Sequence, residues 1–113
     1  MAWIAWVIFT GSALLEVGGD AMIRRGLRYH GFVAIAIGFI MLGSYGVLVN
    51  TVKWDFSKLL GVYVAIFAVI SVIAGKVIFK EFIPWSTWIG IAIISIGGFV
   101  IQFGDKFTSN PKP

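Results

Sequence analysis

The stretch AWIAWVIFTGSALLEV, Ala2 to Val17, decides how the rest of the chain is read: a single charged residue, Glu16, sits inside an otherwise apolar run. Such a run belongs in hydrocarbon, where an ionised side chain near the bilayer centre costs about 3 kcal/mol or more. A carboxylate kept there faces protein or a wet cavity and points to an ion or proton pathway. The bland alternative is a protonated, hydrogen-bonded acid that only fixes helix packing.

Outward from that stretch the composition is of one kind. The chain has 113 residues, 59% of them hydrophobic and 12% charged, with a mean hydropathy of +0.97. Soluble domains carry about 25% charged residues, so a membrane setting is expected. No basic n-region precedes the first apolar stretch, so a cleaved signal is not expected. Absence of cysteine excludes disulfides and thiol chemistry. The net charge of +4 comes from basic residues placed between apolar segments, where lipid headgroups and topology account for them better than nucleic acid does.

Four spans divide the sequence, at residues 2–23, 31–51, 57–79 and 84–103, giving an all-α, four-transmembrane-helix domain over residues 1–105 and a polar tail at 106–113. About twenty residues at ~1.5 Å each reach roughly 30 Å, the thickness of the hydrocarbon core. Short turns make consecutive helices antiparallel neighbours. Pro84 suits a first helical turn. Trp3, Trp6, Trp54, Trp85 and Trp88 lie near span ends, where interfacial tryptophans anchor a helix. Trp6 is the deepest and a candidate cavity wall.

Charge is nearly balanced across the membrane. One face holds Lys53, Lys58, Lys106 and Lys112; the other holds Arg24, Arg25, Arg28, Lys76 and Lys80. The bias of basic loops therefore does not select an orientation, and oppositely inserted copies can pair as an antiparallel homodimer. Four helices hardly surround a substrate path alone. An inverted pair supplies the repeat around which transporters build midplane sites, with two copies of Glu16 in one cavity. Gly90, Gly97 and Gly98 of the fourth span are candidates for the dimer interface, since small residues let helices approach closely.

Glu16, Asp20 and Arg24 follow at intervals of four and form one helical stripe. Asp20 either pairs with Arg24 at the membrane edge or adds a second negative charge for a polyvalent cation such as a polyamine. Ser12, one turn before Glu16, shares its face and is positioned to hydrogen-bond the carboxyl or a substrate. Ser44, Asn50, Ser71 and Ser95 are candidates for interhelical hydrogen bonds. Lys76 is placed to snorkel to the interface. His30 stands without ligand-spaced partners, so no metal site is expected. GGDAMIRRG lacks the phosphate-loop pattern, nucleophile arrangements are absent, and an enzyme is not expected.

On these residues the chain resembles the small multidrug resistance family of the drug/metabolite transporter superfamily. GSALLEVGGDAMIRR looks like the family's stretch around its embedded glutamate, with Glu16 on that acid and Arg24 on its basic residue. GVYVAIF resembles its third-span motif, with Tyr63 on the tyrosine lining the binding chamber, and VIFKE, ending at Glu81, matches the loop that follows. Gly90 and Gly97 fall on its dimerisation helix. The resemblance implies a proton-coupled exporter in a prokaryotic plasma or inner membrane, an antiparallel dimer with no cofactor besides the coupling proton. Its paired glutamates exchange protons for quaternary ammonium or guanidinium compounds. Two departures stand out. Where the family has a tryptophan three residues after the tyrosine, this chain has Ile66, followed by Phe67, and Asp20 occupies a usually neutral position. Two other function classes fit the same chain: a subunit of a heteromeric transporter or lipid-linked sugar flippase, and a non-transporting membrane interaction protein.

Overall fold

A computed structural model describes residues 2–104. It is all-helical: α1 (Ala2–Tyr29), α2 (Phe32–Val49), α3 (Phe56–Val77) and α4 (Trp85–Phe103). All four are long and apolar enough to cross a membrane. The tail at 106–113, with Lys106 and Lys112, lies outside the described residues.

The expected first span stops at Ile23, but α1 continues to Tyr29 and carries all three arginines in helix. Its 28 residues reach about 42 Å at ~1.5 Å per residue, more than the hydrocarbon core requires. Arginine is a good helix former, so backbone bonding continues after apolarity ends. Arg28 in the last turn also complements the negative end of the helix dipole. The other boundaries shift by one or two residues. Pro84 is the N-cap of α4, in extended conformation at φ −70° and ψ 160°, not its first helical residue.

α1 is stopped by His30, whose φ is 55°, and by the Gly31 N–H donating to the Gly26 carbonyl at 2.8 Å. This is the six-to-one bond of a Schellman cap. After α3, Lys80 also adopts φ 55°, and the Glu81 N–H reaches back to the Gly75 carbonyl at 3.1 Å. Side chains with a Cβ pay for the left-handed region and glycine does not. His30→Gly and Lys80→Gly are each expected to stabilise the fold by about 1 kcal/mol, read as a higher unfolding midpoint in detergent.

The chain divides between Lys53 and Trp54 into two compact units. In the first, α1 and α2 form an antiparallel hairpin joined by a tight glycine seam. Gly11 faces Leu48, Gly18 faces Met41 and Gly26 faces Ile35, so the contacts run in opposite senses along the two helices. At the centre Gly19 and Gly38 meet. A Cβ on Gly19 would stand 2.9 Å from the Gly38 carbonyl oxygen, and one on Gly38 would stand 2.7 Å from that of Gly19. Small residues at such a crossing let backbones approach closely where lipid offers no hydrophobic drive to associate.

The second unit is the α3–α4 hairpin, again antiparallel: Gly61 faces Ile101 and Gly98 faces Ala65. Leu59, Val62, Tyr63 and Ala68 of α3 are buried. Trp3 and Trp85 are exposed, as membrane-interface anchors are, and Lys58 Nζ lies 5.1 Å from the Trp54 ring centroid.

Three of the four polar residues expected to bridge helices bond to a nearby carbonyl of their own segment instead. Ser44 Oγ donates to the Ile40 carbonyl at 2.8 Å, Asn50 Nδ2 to the Gly46 carbonyl at 2.7 Å, and Ser71 Oγ to the Ala68 carbonyl at 2.8 Å. Each satisfies its donor within its own helix. A carbonyl one turn back is always in reach, so this bond needs no partner helix in register.

Candidate functional site

The site is built on the middle of α1. Trp6 and Phe9 pack edge to face with ring centroids 6.2 Å apart. Phe9, Ser12 and Ala13 are fully buried. Glu16 follows one turn after Ser12 and is half-buried, while Asp20 and Arg24, on the same stripe, are exposed. Burial therefore falls along the stripe, separating a sheltered carboxylate at Glu16 from an exposed one at Asp20. Trp6, 36% exposed, is not a closed wall, and its carbonyl accepts a bond from Thr10 Oγ1 at 2.9 Å.

The α1–α2 seam adds a residue that the sequence reading did not single out. Tyr45 of α2 lies within Coulombic range of the Glu16 carboxylate. Its signal was the one hydroxyl-bearing aromatic in a span otherwise made of aliphatics, glycine, two phenylalanines, a methionine and one serine. Only the hairpin register shows which acid it meets. Nearby, Leu15 and the α2 residues Ile40, Gly43, Ser44 and Val47 wall an open groove of about 720 Å³. The groove has no charged lining, so it is an apolar slot beside the acid rather than the ion site itself.

In the second unit Tyr63, 3% exposed, stacks on Phe67 with centroids 6.2 Å apart and planes at 29°. The ring that accompanies Tyr63 on this helix is thus Phe67, one turn on, and the Ile66 position contributes no aromatic. A Cβ at Gly90 or Gly97 would meet nothing within 4 Å, so these two glycines lie on an open face of α4. Gly98 is spent inside the hairpin, where its missing Cβ makes room for Ala65. Phe82, Ile83, Trp85 and Trp88 line a pocket of about 410 Å³ at the start of α4, the chemistry of an interfacial aromatic anchor. Among the described residues no group of three or more His, Cys, Asp or Glu side chains is arranged to hold a metal ion.

Comparison with known proteins gives the chain its relatives. A UPF0060 membrane protein of Nocardia farcinica is 35% identical over 104 residues, covering 88% of this chain and 92% of the relative. The chain belongs to the UPF0060 membrane-protein family. A UPF0060 protein of Rhodococcus erythropolis is 41% identical over 64 residues, 54% of this chain and 58% of that relative. One of Rhodococcus jostii is 37% identical over 73 residues, 62% of this chain and 66% of that relative. No family model matches, and no solved structure matches. This UPF0060 protein is therefore a multi-pass membrane protein with four spanning helices, and the relatives' names extend neither to the small multidrug resistance family nor to an activity. Among the described residues this chain presents one sheltered carboxylate, Glu16, with a fully buried hydroxyl one turn before it and a tyrosine on the neighbouring helix.

Proposed function

We propose that this UPF0060 protein is a proton-coupled exporter of small organic cations, working as an antiparallel homodimer in the cell membrane. Glu16 carries the reading: it is a half-buried carboxylate in the middle of a spanning helix. Its carboxyl binds either a proton or the cation, so a cation that occupies the site displaces the proton. The proton is the coupling ion, and no cofactor takes part. Tyr45 provides an orienting dipole beside the acid. The near balance of basic residues on the two loop faces supports insertion in both orientations, which places two copies of Glu16 in inverted relation.

The exchange step is tested by proton release from purified protein in weak buffer, on addition of quaternary ammonium, guanidinium or polyamine salts. Release by one class identifies the substrate; silence with all three, from folded protein, rejects the exporter. Topology is read separately. The chain has no native cysteine, so Ser57→Cys, just inside α3, is the only thiol in its variant. Labelling by an impermeant maleimide is expected to reach about half of the thiols from each side of the membrane, as an unbiased charge distribution dictates. Labelling from one side alone would reject dual insertion.

A further inference from the structure

Three hydroxyls of the helices are settled locally: Thr10, Ser44 and Ser71 each donate to a carbonyl three or four residues back. Ser12 does not. It is 0% exposed, and its Oγ has no hydrogen-bond partner. Leaving a buried hydroxyl unsatisfied costs about 1–3 kcal/mol, and alanine at this position would avoid that cost with a better helix former. Gln102 Oε1 is the other buried, unpartnered oxygen among the described residues, but that residue is only half-buried and stands at the end of α4. Ser12 lies one turn from Glu16, where Cβ atoms on a helix are about 5–6 Å apart. A single small group is able to touch both side chains.

A hydroxyl has one donor and two acceptor lone pairs. With its own proton turned toward the Glu16 carboxylate, Ser12 Oγ still has acceptor capacity to offer. A cation bearing N–H groups satisfies it while neutralising the acid. A quaternary ammonium ion neutralises the acid equally well but has no hydrogen to give, and leaves the acceptor side of the serine hydroxyl unfilled. Sites built to receive a hydrogen bond reject the analogue that lacks it, because the buried group is then orphaned.

We propose that Ser12 is a specificity-determining acceptor of the Glu16 site, taking a hydrogen bond from the transported cation and selecting N–H-bearing cations, guanidinium or primary ammonium compounds, over quaternary ammonium ions. The assignment rests on the exporter reading above. Because Ser12 is enclosed, the cation reaches it only when α1 and α2 open locally beside it.

Benzylammonium and benzyltrimethylammonium share a ring and a charge and differ in N–H groups, so they are the probes. Binding is followed by proton release from the full-length protein in detergent. Wild type is expected to bind benzylammonium more tightly. Ser12→Ala is expected to weaken benzylammonium about tenfold or more and to leave benzyltrimethylammonium unchanged. Ser12→Cys, which keeps the shape with a slightly larger atom but accepts hydrogen bonds poorly, is expected to follow it. The unfolding midpoint of Ser12→Ala should hold or rise, since an unsatisfied group has been removed. Equal changes for both probes, no change for either, a wild-type preference for the trimethyl probe, or a Ser12→Ala protein that no longer folds would each overturn the assignment. Those results leave the exporter standing provided release itself depends on Glu16. Absence of release by every cation, or release that survives Glu16→Gln, removes both.

Discussion

Glu16→Gln is expected to abolish cation-driven proton release and to leave a folded protein. Glutamine matches the acid in size and still hydrogen-bonds, but it brings neither a negative charge nor an exchangeable proton to α1. A cation entering the variant would be a buried charge without a counter-charge, a situation that costs several kcal/mol, so its binding should fall about a hundredfold or more. The pH response discriminates further. In wild type, protons compete with the cation for Glu16, so apparent cation affinity rises with pH; in Glu16→Gln whatever binding survives should be flat. A packing role makes the opposite forecast, with release retained and only the unfolding midpoint altered. Asp20 serves as a control. It lies on the same stripe but is exposed, and Asp20→Asn should retain exchange with any monovalent substrate. Loss of exchange in Asp20→Asn would show that the two acids act as one site.

The sequence makes the four helices legible because a membrane span needs only length and apolarity, and both are local. Glu16 is legible for the same reason: a lone acid in an apolar run is conspicuous wherever the helix packs. Pair relations are not local. Tyr45 gave no sign of its acid until the hairpin register brought α2 alongside α1. The seam of Gly11, Gly18, Gly19, Gly26 and Gly38 was equally hidden, since glycine is common in membrane helices and its spacing does not say which partner it faces. The fourth-span glycines show that ambiguity directly. Gly97 and Gly98 are adjacent in sequence, yet one looks onto open space and the other closes on Ala65. By sequence Ser44, Asn50 and Ser71 are candidate bridges between helices. Their donors instead take the nearest carbonyl, a choice that depends on rotamer and not on composition. For Ser12 the sequence places the residue on the face of Glu16, but only the structure shows that its hydroxyl lacks a partner.

Gly38→Ala should be among the most damaging single-methyl changes in the first unit, matched only by Gly26→Ala, whose Cβ would stand 2.7 Å from the Gly31 carbonyl oxygen. At Gly38 the new Cβ would stand 2.7 Å from the Gly19 carbonyl oxygen and 3.1 Å from the Ile23 amide nitrogen, both backbone atoms. A flexible side chain can swing aside from an added methyl, whereas a helix backbone moves only by separating α1 from α2 along the whole seam. Overpacking of this kind costs about 1–3 kcal/mol, and the separation would also shift Tyr45 relative to Glu16. Gly19→Ala is milder but of the same kind, meeting the Gly38 carbonyl and the Leu42 side chain at 2.9 Å. Two glycines of the same helix supply the contrast. A Cβ at Gly43 or Gly46 would meet nothing within 4 Å, and alanine is the better helix former by about 1 kcal/mol. Gly43→Ala and Gly46→Ala should therefore hold or raise the unfolding midpoint in detergent while Gly38→Ala lowers it. If all three substitutions moved the midpoint alike, helix propensity would govern this hairpin and the Gly19–Gly38 crossing would not be what holds it together.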